Sequence, residues 1–128
     1  MAKVLLVEDD AFLAALFKNR LIKEGYDVLH AKDGVEAVEA LKKEKPDLML
    51  LDLILPKMSG FEVLEVMQTD PQLNKVPTFV LSNLGQDSDM THSLELGAIK
   101  YFVKTKISIS SLIEQIQKFL SSMENVVK

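Results

Sequence analysis

The chain has 128 residues, of which 48% are hydrophobic and 27% charged, and its formal net charge is −4. That length suits one domain with a core of its own and leaves little room for a second. The absence of cysteine excludes a disulfide framework and a thiolate metal site and agrees with a cytoplasmic setting; no apolar run approaches the ~20 residues that span a bilayer, and without a basic stripe direct nucleic-acid binding is not expected.

Apolar runs alternate with helix-period segments five times. The first run, Val4-Leu5-Leu6-Val7, is short, unbroken and apolar, as suits a strand buried on both faces. It runs into the acidic Glu8-Asp9-Asp10, with neither the apolar length nor the cleavage site of a secretory signal. Leu13, Leu16, Phe17 and Leu21 then mark one helix face, and Gly25 is placed to end it. Tyr26 to Leu29 reads as a second strand. Asp33 and Glu36 form a capping box before a helix bearing Val35, Val38 and Leu41, which Pro46 closes. Leu48-Met49-Leu50-Leu51 is the most apolar run and is assigned to the central strand.

Ser59 and Glu62 form a second capping box, opening a helix with Val63, Leu64 and Met67. Val76 to Leu81 is a fourth strand with proline near its start, where proline is tolerated. The helix from about Asp87 to Leu96 has thin apolar content, predicts loose packing, and stops at Gly97. Ile99 to Val103 is the fifth strand. Ser108 caps a last helix striped by Ile109, Leu112, Ile113, Ile116 and Leu120. The six methionines are scattered rather than striped and read as core filler. The domain is expected over residues 1–124, with a tail at 125–128.

Five β-α units in succession imply an α/β fold with a mostly parallel sheet covered on both faces, and in such sheets the site lies beyond the carboxyl ends of the strands. Four of the five strands end there in polar groups: Glu8-Asp9-Asp10, Asp52, Ser82-Asn83 and Lys104. Taken singly, an acid after a strand is often the cap of the next helix, and a lysine there is usually a solvated loop charge. Together they are harder to dismiss. Clustered carboxylates raise one another's pKa and destabilise the fold unless a cation relieves them, and oxygen-only ligands at an open site suit Mg²⁺. A carboxylate can act as a nucleophile toward phosphorus, and phosphoryl transfer needs positive charge and hydrogen bonds on the transferred oxygens. Nucleophile, metal ligands, cation and hydroxyl each have a candidate at these strand ends.

Four segments carry a family resemblance: VLLVEDD at 4–10, PDLMLLDLILPKMSG at 46–60, PTFVLSN at 77–83 and GAIKYFVK at 97–104. In this order and spacing the chain resembles bacterial response-regulator receiver domains of the CheY-like kind, from about Lys3 to Leu120. The resemblance implies a single doubly wound (βα)5 flavodoxin-like domain with strand order 2-1-3-4-5. It makes Asp52 the phosphoacceptor. By the same resemblance Asp9 would be a direct ligand of Mg²⁺, with Glu8 acting through water, Asp52 beside them, and Ile54 lending its backbone carbonyl. Ser82 is the switch hydroxyl, Lys104 the catalytic lysine, and Tyr101 the aromatic that moves inward when the hydroxyl turns. Pro56 and Gly60 shape the turn after the acceptor, and Asp10 is a helix cap.

The implied partners are a histidine kinase or histidine phosphotransfer protein and a downstream protein or output domain, with no membrane contact. The face of the fourth helix, fifth strand and fifth helix is the readout surface and a route to a dimer. The protein is then a signalling switch rather than an enzyme, catalysing only its own phosphorylation and dephosphorylation. Thr105 departs from the family, where proline usually follows the lysine, often after a cis bond. A cis bond before threonine would cost about 2.5–4 kcal/mol, so this one is predicted to be trans. Ile54 and Leu84 are apolar at positions said in the family to lie over the phosphate, which predicts slow self-dephosphorylation.

Other classes fit less well. A flavodoxin-like cofactor binder needs a first loop that cradles phosphate, and this one is acidic. A haloacid-dehalogenase phosphatase needs a second aspartate where Ile54 stands. A purely structural pseudo-receiver should have lost Asp9, Asp52 or Lys104. His30 reads as a strand-end histidine and His92 as a solvated one on the fourth helix.

Overall fold

Parallel pairing runs through the whole sheet of the computed structural model, which describes residues 1–127 and the side chains of 1–123. Strands β1 (Lys3–Val7), β2 (Asp27–Ala31), β3 (Leu48–Leu51), β4 (Thr78–Ser82) and β5 (Lys100–Val103) lie in the order β2-β1-β3-β4-β5, as expected. Helices α1 (Ala11–Lys23), α2 (Gly34–Glu44), α3 (Gly60–Thr69), α4 (Asp87–Glu95) and α5 (Ile109–Val127) connect or follow them. The tail expected at 125–128 lies outside the residues whose side chains are described.

The inner strands β1, β3 and β4 are largely apolar and buried because alternate side chains feed two separate cores, whereas the edge strands β2 and β5 carry Asp27, His30 and Lys100. Leu5, Val7, Met49, Leu51 and Val80 join Ala37 and Leu41 of α2 and Val63, Leu64 and Met67 of α3. Val4, Leu6, Leu48, Leu50, Phe79 and Leu81 join Ala14 and Leu21 of α1 and Leu112, Ile113, Ile116 and Leu120 of α5. Phe79 is fully buried, its ring centroid 5.8 Å from that of Phe102 and 5.3 Å from that of Phe119. Truncating it to alanine would cost about 3–5 kcal/mol.

Helix starts follow the capping residues. Asp10 accepts from the Phe12 and Leu13 amides, Asp33 from Glu36, Ser59 from Glu62, and Ser108 from Ser111. Gly25 and Gly97 end α1 and α4 with φ of 97° and 109°, values that glycine adopts freely. No side chain caps α4, and Ser93 is its only fully buried residue, in line with the loose packing expected.

Three expectations need correction. Leu16 is 47% exposed, because Ala14 and Leu21 carry the buried face of α1. The second strand begins at Asp27 and continues through His30 to Ala31, held by its pairing with β1. Of the methionines, Met49 and Met67 fill core space, whereas Met90 lies on the exposed side of α4.

Candidate functional site

Register decides which residues meet. Val7 pairs with Ala31 on one side and Leu51 on the other, so Glu8 and Asp52 leave the sheet at one level. The Glu8 amide donates to the Ala31 carbonyl and the Asp52 amide to the Val7 carbonyl, fixing both residues just beyond the last strand pair. On the other flank the Lys104 amide donates to the Ser82 carbonyl.

A cleft of about 250 Å³ opens at this rim, lined by Glu8, Asp9, Asp52, Ile54, Asn83 and Lys104 among others. Carboxylate oxygens of Glu8, Asp9 and Asp52 lie within 4.8 Å of one another. Glu8 and Asp52 are buried and Asp9 is exposed, so the group is anchored at its base and open to solvent at its mouth. Donors that are all oxygen, at a site with room for water, match the preference of a hard divalent cation.

Lys104 Nζ donates to Glu8 Oε1 at 2.5 Å and to Asp52 Oδ2 at 2.8 Å. Burial alone would lower the lysine pKa, but the hydrogen bonds to Asp52 and Glu8 outweigh it and hold the ammonium above its ordinary value. Glu8 goes the same way for the opposite reason: burial raises its carboxyl pKa more than Lys104 and the Asp10 amide lower it. The second Glu8 oxygen accepts from the Asp10 amide at 3.0 Å, so both of its oxygens are engaged. Asp52 Oδ1 accepts only a long bond, 3.3 Å, from the Ile54 amide.

Ser82 and Tyr101 stand behind the cleft rather than in its lining. Ser82 is fully buried, and its hydroxyl accepts from the Leu84 amide at 3.3 Å. The Tyr101 hydroxyl donates to the Leu84 carbonyl. Both residues thus hold the same β4–α4 loop, one by its N–H and one by its C=O. Burial raises the Tyr101 phenol pKa, and the charges of Asp89 and Asp52 add to it. Leu84 packs against the core instead of lining the cleft, whereas Ile54 does line it and is 57% exposed.

The Lys104–Thr105 bond is trans, as predicted, since the described residues contain no cis peptide bond. Lys104 is well aimed nonetheless, because its backbone is tied to Ser82 and its ammonium to two carboxylates. His92 is exposed on α4, its ring 4.9 Å from that of Phe61.

Sequence reasoning missed two contacts around the site and gave a third residue, Asn83, no role. His30 Nε2 lies 2.8 Å from the Glu8 carbonyl oxygen, bracing the acidic loop from the edge strand. Lys57 Nζ lies 3.7 Å from Asp33 Oδ2, linking two loops. Asn83 lines the cleft directly after the buried serine. Its place at the end of the fourth strand had marked it for this rim, whereas neither the His30 nor the Lys57 contact carried a sequence signal.

Comparison with known proteins agrees with this architecture. The family model of the response regulator receiver domain matches residues 4–117. The alkaline phosphatase synthesis transcriptional regulatory protein PhoP of Bacillus subtilis is 39% identical over 102 residues, which are 80% of this chain and 42% of that protein. The polar-differentiation response regulator DivK of Brucella anthropi is 28% identical over 117 residues, covering 91% of this chain and 94% of DivK. Among solved structures, the signal receiver domain of a signal transduction histidine kinase from Syntrophus aciditrophicus superposes with a TM-score of 0.85 at 30% identity, covering 95% of this chain and 92% of that one. Apart from DivK, the chain spans between 39% and 52% of the length of the first curated relatives it matches. No described helix is long and apolar enough to cross a membrane. With motifs, strand order and sequence match in agreement over nearly its whole length, the chain belongs to the response regulator receiver domain family of two-component signalling.

Proposed function

We propose that Asp52 accepts a phosphoryl group from a phosphohistidine on a histidine kinase or histidine phosphotransfer protein, and that the phosphorylated form is read by a downstream protein or output domain. The observation that carries this reading is Lys104 Nζ held between Glu8 and Asp52 in the cleft they share with Asp9. A lysine fixed there meets the incoming phosphoryl oxygens on arrival, with little reorganisation.

Of the three carboxylates, Asp52 is the best nucleophile. Glu8 has both oxygens engaged and a raised pKa. Asp9 is exposed and free to serve as a ligand. An Asp52 oxygen forms the bond to phosphorus as the bond from phosphorus to the histidine nitrogen breaks, and the electron pair leaves with that nitrogen. Glu8, Asp9, Asp52 and the Ile54 carbonyl would hold Mg²⁺, which when bound neutralises the carboxylates and polarises the phosphoryl oxygens. Lys104 exchanges its hydrogen bond to Asp52 for one to a phosphoryl oxygen. Ser82 then donates its hydroxyl hydrogen to another, weakening its hold on the Leu84 amide. Tyr101, tied to the same loop, transmits the change to α4 and β5, where a partner or second copy would dock. The protein turns over no external substrate in this scheme and acts as a switch rather than an enzyme.

Incubation with acetyl phosphate and Mg²⁺, followed by intact mass measurement, tests the proposal. One phosphoryl adduct is expected on wild type and none on Asp52→Asn. Equal adducts on both, or none on wild type, would overturn it.

A further inference from the structure

The corner between β2 and α2 gives no side chain to the cleft, yet its backbone is pressed into the loop that does. A Cβ on Gly34 would stand 2.0 Å from the Met58 carbonyl oxygen and 2.7 Å from the Met58 carbonyl carbon. Gly34 does not have positive φ, so glycine is needed there for close approach alone. Beside it, Asp33 Oδ2 faces Lys57 Nζ at 3.7 Å, and Lys57 itself adopts φ 67°, a conformation that glycine takes with less strain. At the far end of the loop, a Cβ on Gly60 would stand 2.3 Å from the Asp52 carbonyl oxygen. The Gly60 amide donates to the Leu53 carbonyl at 2.9 Å. The segment between these two contacts carries Ile54, which lines the cleft.

We infer that the Asp33–Gly34 corner is a positioning element for the cation site, seating the Met58 backbone and thereby fixing where the Ile54 carbonyl points. The inference rests on the reading that this carbonyl is among the cation's ligands. Neither Asp33 nor Gly34 lines the cleft. They act through the loop, as outer partners of metal ligands do, and loss of such partners typically weakens metal affinity about 10–100-fold. Lys57 completes the seat: its ion pair with Asp33 offsets the strain of its own backbone. A methionine there would keep the strain and lose the pair, while an arginine would keep both.

The test is a titration with Mn²⁺, free ion being counted by electron paramagnetic resonance, alongside backbone amide spectra. Wild type is compared with Gly34→Ala, Lys57→Met, Lys57→Arg, and Leu120→Ala as a control that destabilises the opposite core. Gly34→Ala is expected to bind Mn²⁺ about tenfold more weakly. Lys57→Met should bind more weakly than Lys57→Arg, and Leu120→Ala as wild type does. The Ile54 amide resonance should move in Gly34→Ala and stay in Leu120→Ala. Should Gly34→Ala fail to fold, the Lys57 pair decides. Wild-type affinity in Gly34→Ala, or equal affinity in the two Lys57 variants, would overturn the inference. A wild type that binds no Mn²⁺, or binds it as Asp9→Asn does, would sink the cation reading instead, and the Ile54 resonance would still report on the seat.

Discussion

Lys104 Nζ and Asp52 Oδ2 stand 2.8 Å apart although β4 lies between the strands that carry them. The lysine side chain crosses the end of that strand, above the buried Ser82, and continues to Glu8 beyond β1. One ammonium thus neutralises carboxylates from two other strand ends. Removing it should expose how much the fold depends on it. In Lys104→Met, two buried carboxylates would face each other without a counter-charge, and breaking a buried pair in this way costs about 3–5 kcal/mol. Chemical denaturation without divalent cations should show a loss toward the lower figure, since Glu8 can take up a proton. Millimolar Mg²⁺ should restore part of it. A variant as stable as wild type in chelator would refute this account.

Asp33 gives the fold a pH dependence of known sign. The Glu36 amide, and then Lys57, hold its carboxyl below the ordinary value of 3.8. The unfolded chain therefore binds the proton more readily, so the contribution is present above the unfolded value and is lost as pH falls toward the folded one. Asn at this position still caps α2 but does not titrate. Wild type should lose its advantage over Asp33→Asn as pH falls from about 5 to about 2. A constant difference across that range would contradict the argument.

Tyr101 should titrate late. In a Tyr26→Phe background its phenolate absorbance reports on this ring alone, and its midpoint should lie above 10.0 because burial and the Asp89 and Asp52 charges oppose ionisation. Tyr101→Phe should cost about 1 kcal/mol, the usual net worth of one hydrogen bond, and should speed amide exchange at Leu84. Unchanged exchange there would mean that the hydroxyl does not hold the loop.

The lifetime of the phosphoryl group should depend more on Ile54 than on Leu84. Both are apolar, and neither can orient an attacking water. Ile54 lines the cleft, whereas Leu84 is packed against the core. Ile54→Asn should therefore speed loss of phosphate almost as much as the Ile54→Asn, Leu84→Glu double variant. Equal or slower loss in the double variant than in wild type would remove the idea.

How much of this was legible in the sequence varies with the range of the forces involved. Runs such as Leu48 to Leu51 declare themselves because every residue of a doubly covered strand is buried, and the polar residues that end them fall on one rim by topology. Caps at Asp10, Asp33 and Ser59 were legible because their partners lie two or three residues away. The burial of Ala14 in place of Leu16 was not, because the apolar residues of α1 spread over a broad arc at 3.6 residues per turn and do not reveal which flank of the helix meets the sheet. The approach of Gly34 to Met58, and of His30 to the Glu8 carbonyl, depends on how separate loops settle against each other. No local spacing encodes that.

The opposite rim has a different character. There the chain reverses at Gly25, Lys45, the stretch from Asp70 to Pro77, and Gly97, and the interactions are those of a scaffold: Lys3 Nζ with Glu44 at 3.2 Å, and the Lys3 amide with Asp47 at 2.7 Å. None of these turns touches the cleft. Chemistry and architecture are thus segregated by strand polarity, so the lower turns can accept inserted segments, affinity tags or reporter peptides while the upper loops can be grafted as a set onto another parallel sheet of the same winding.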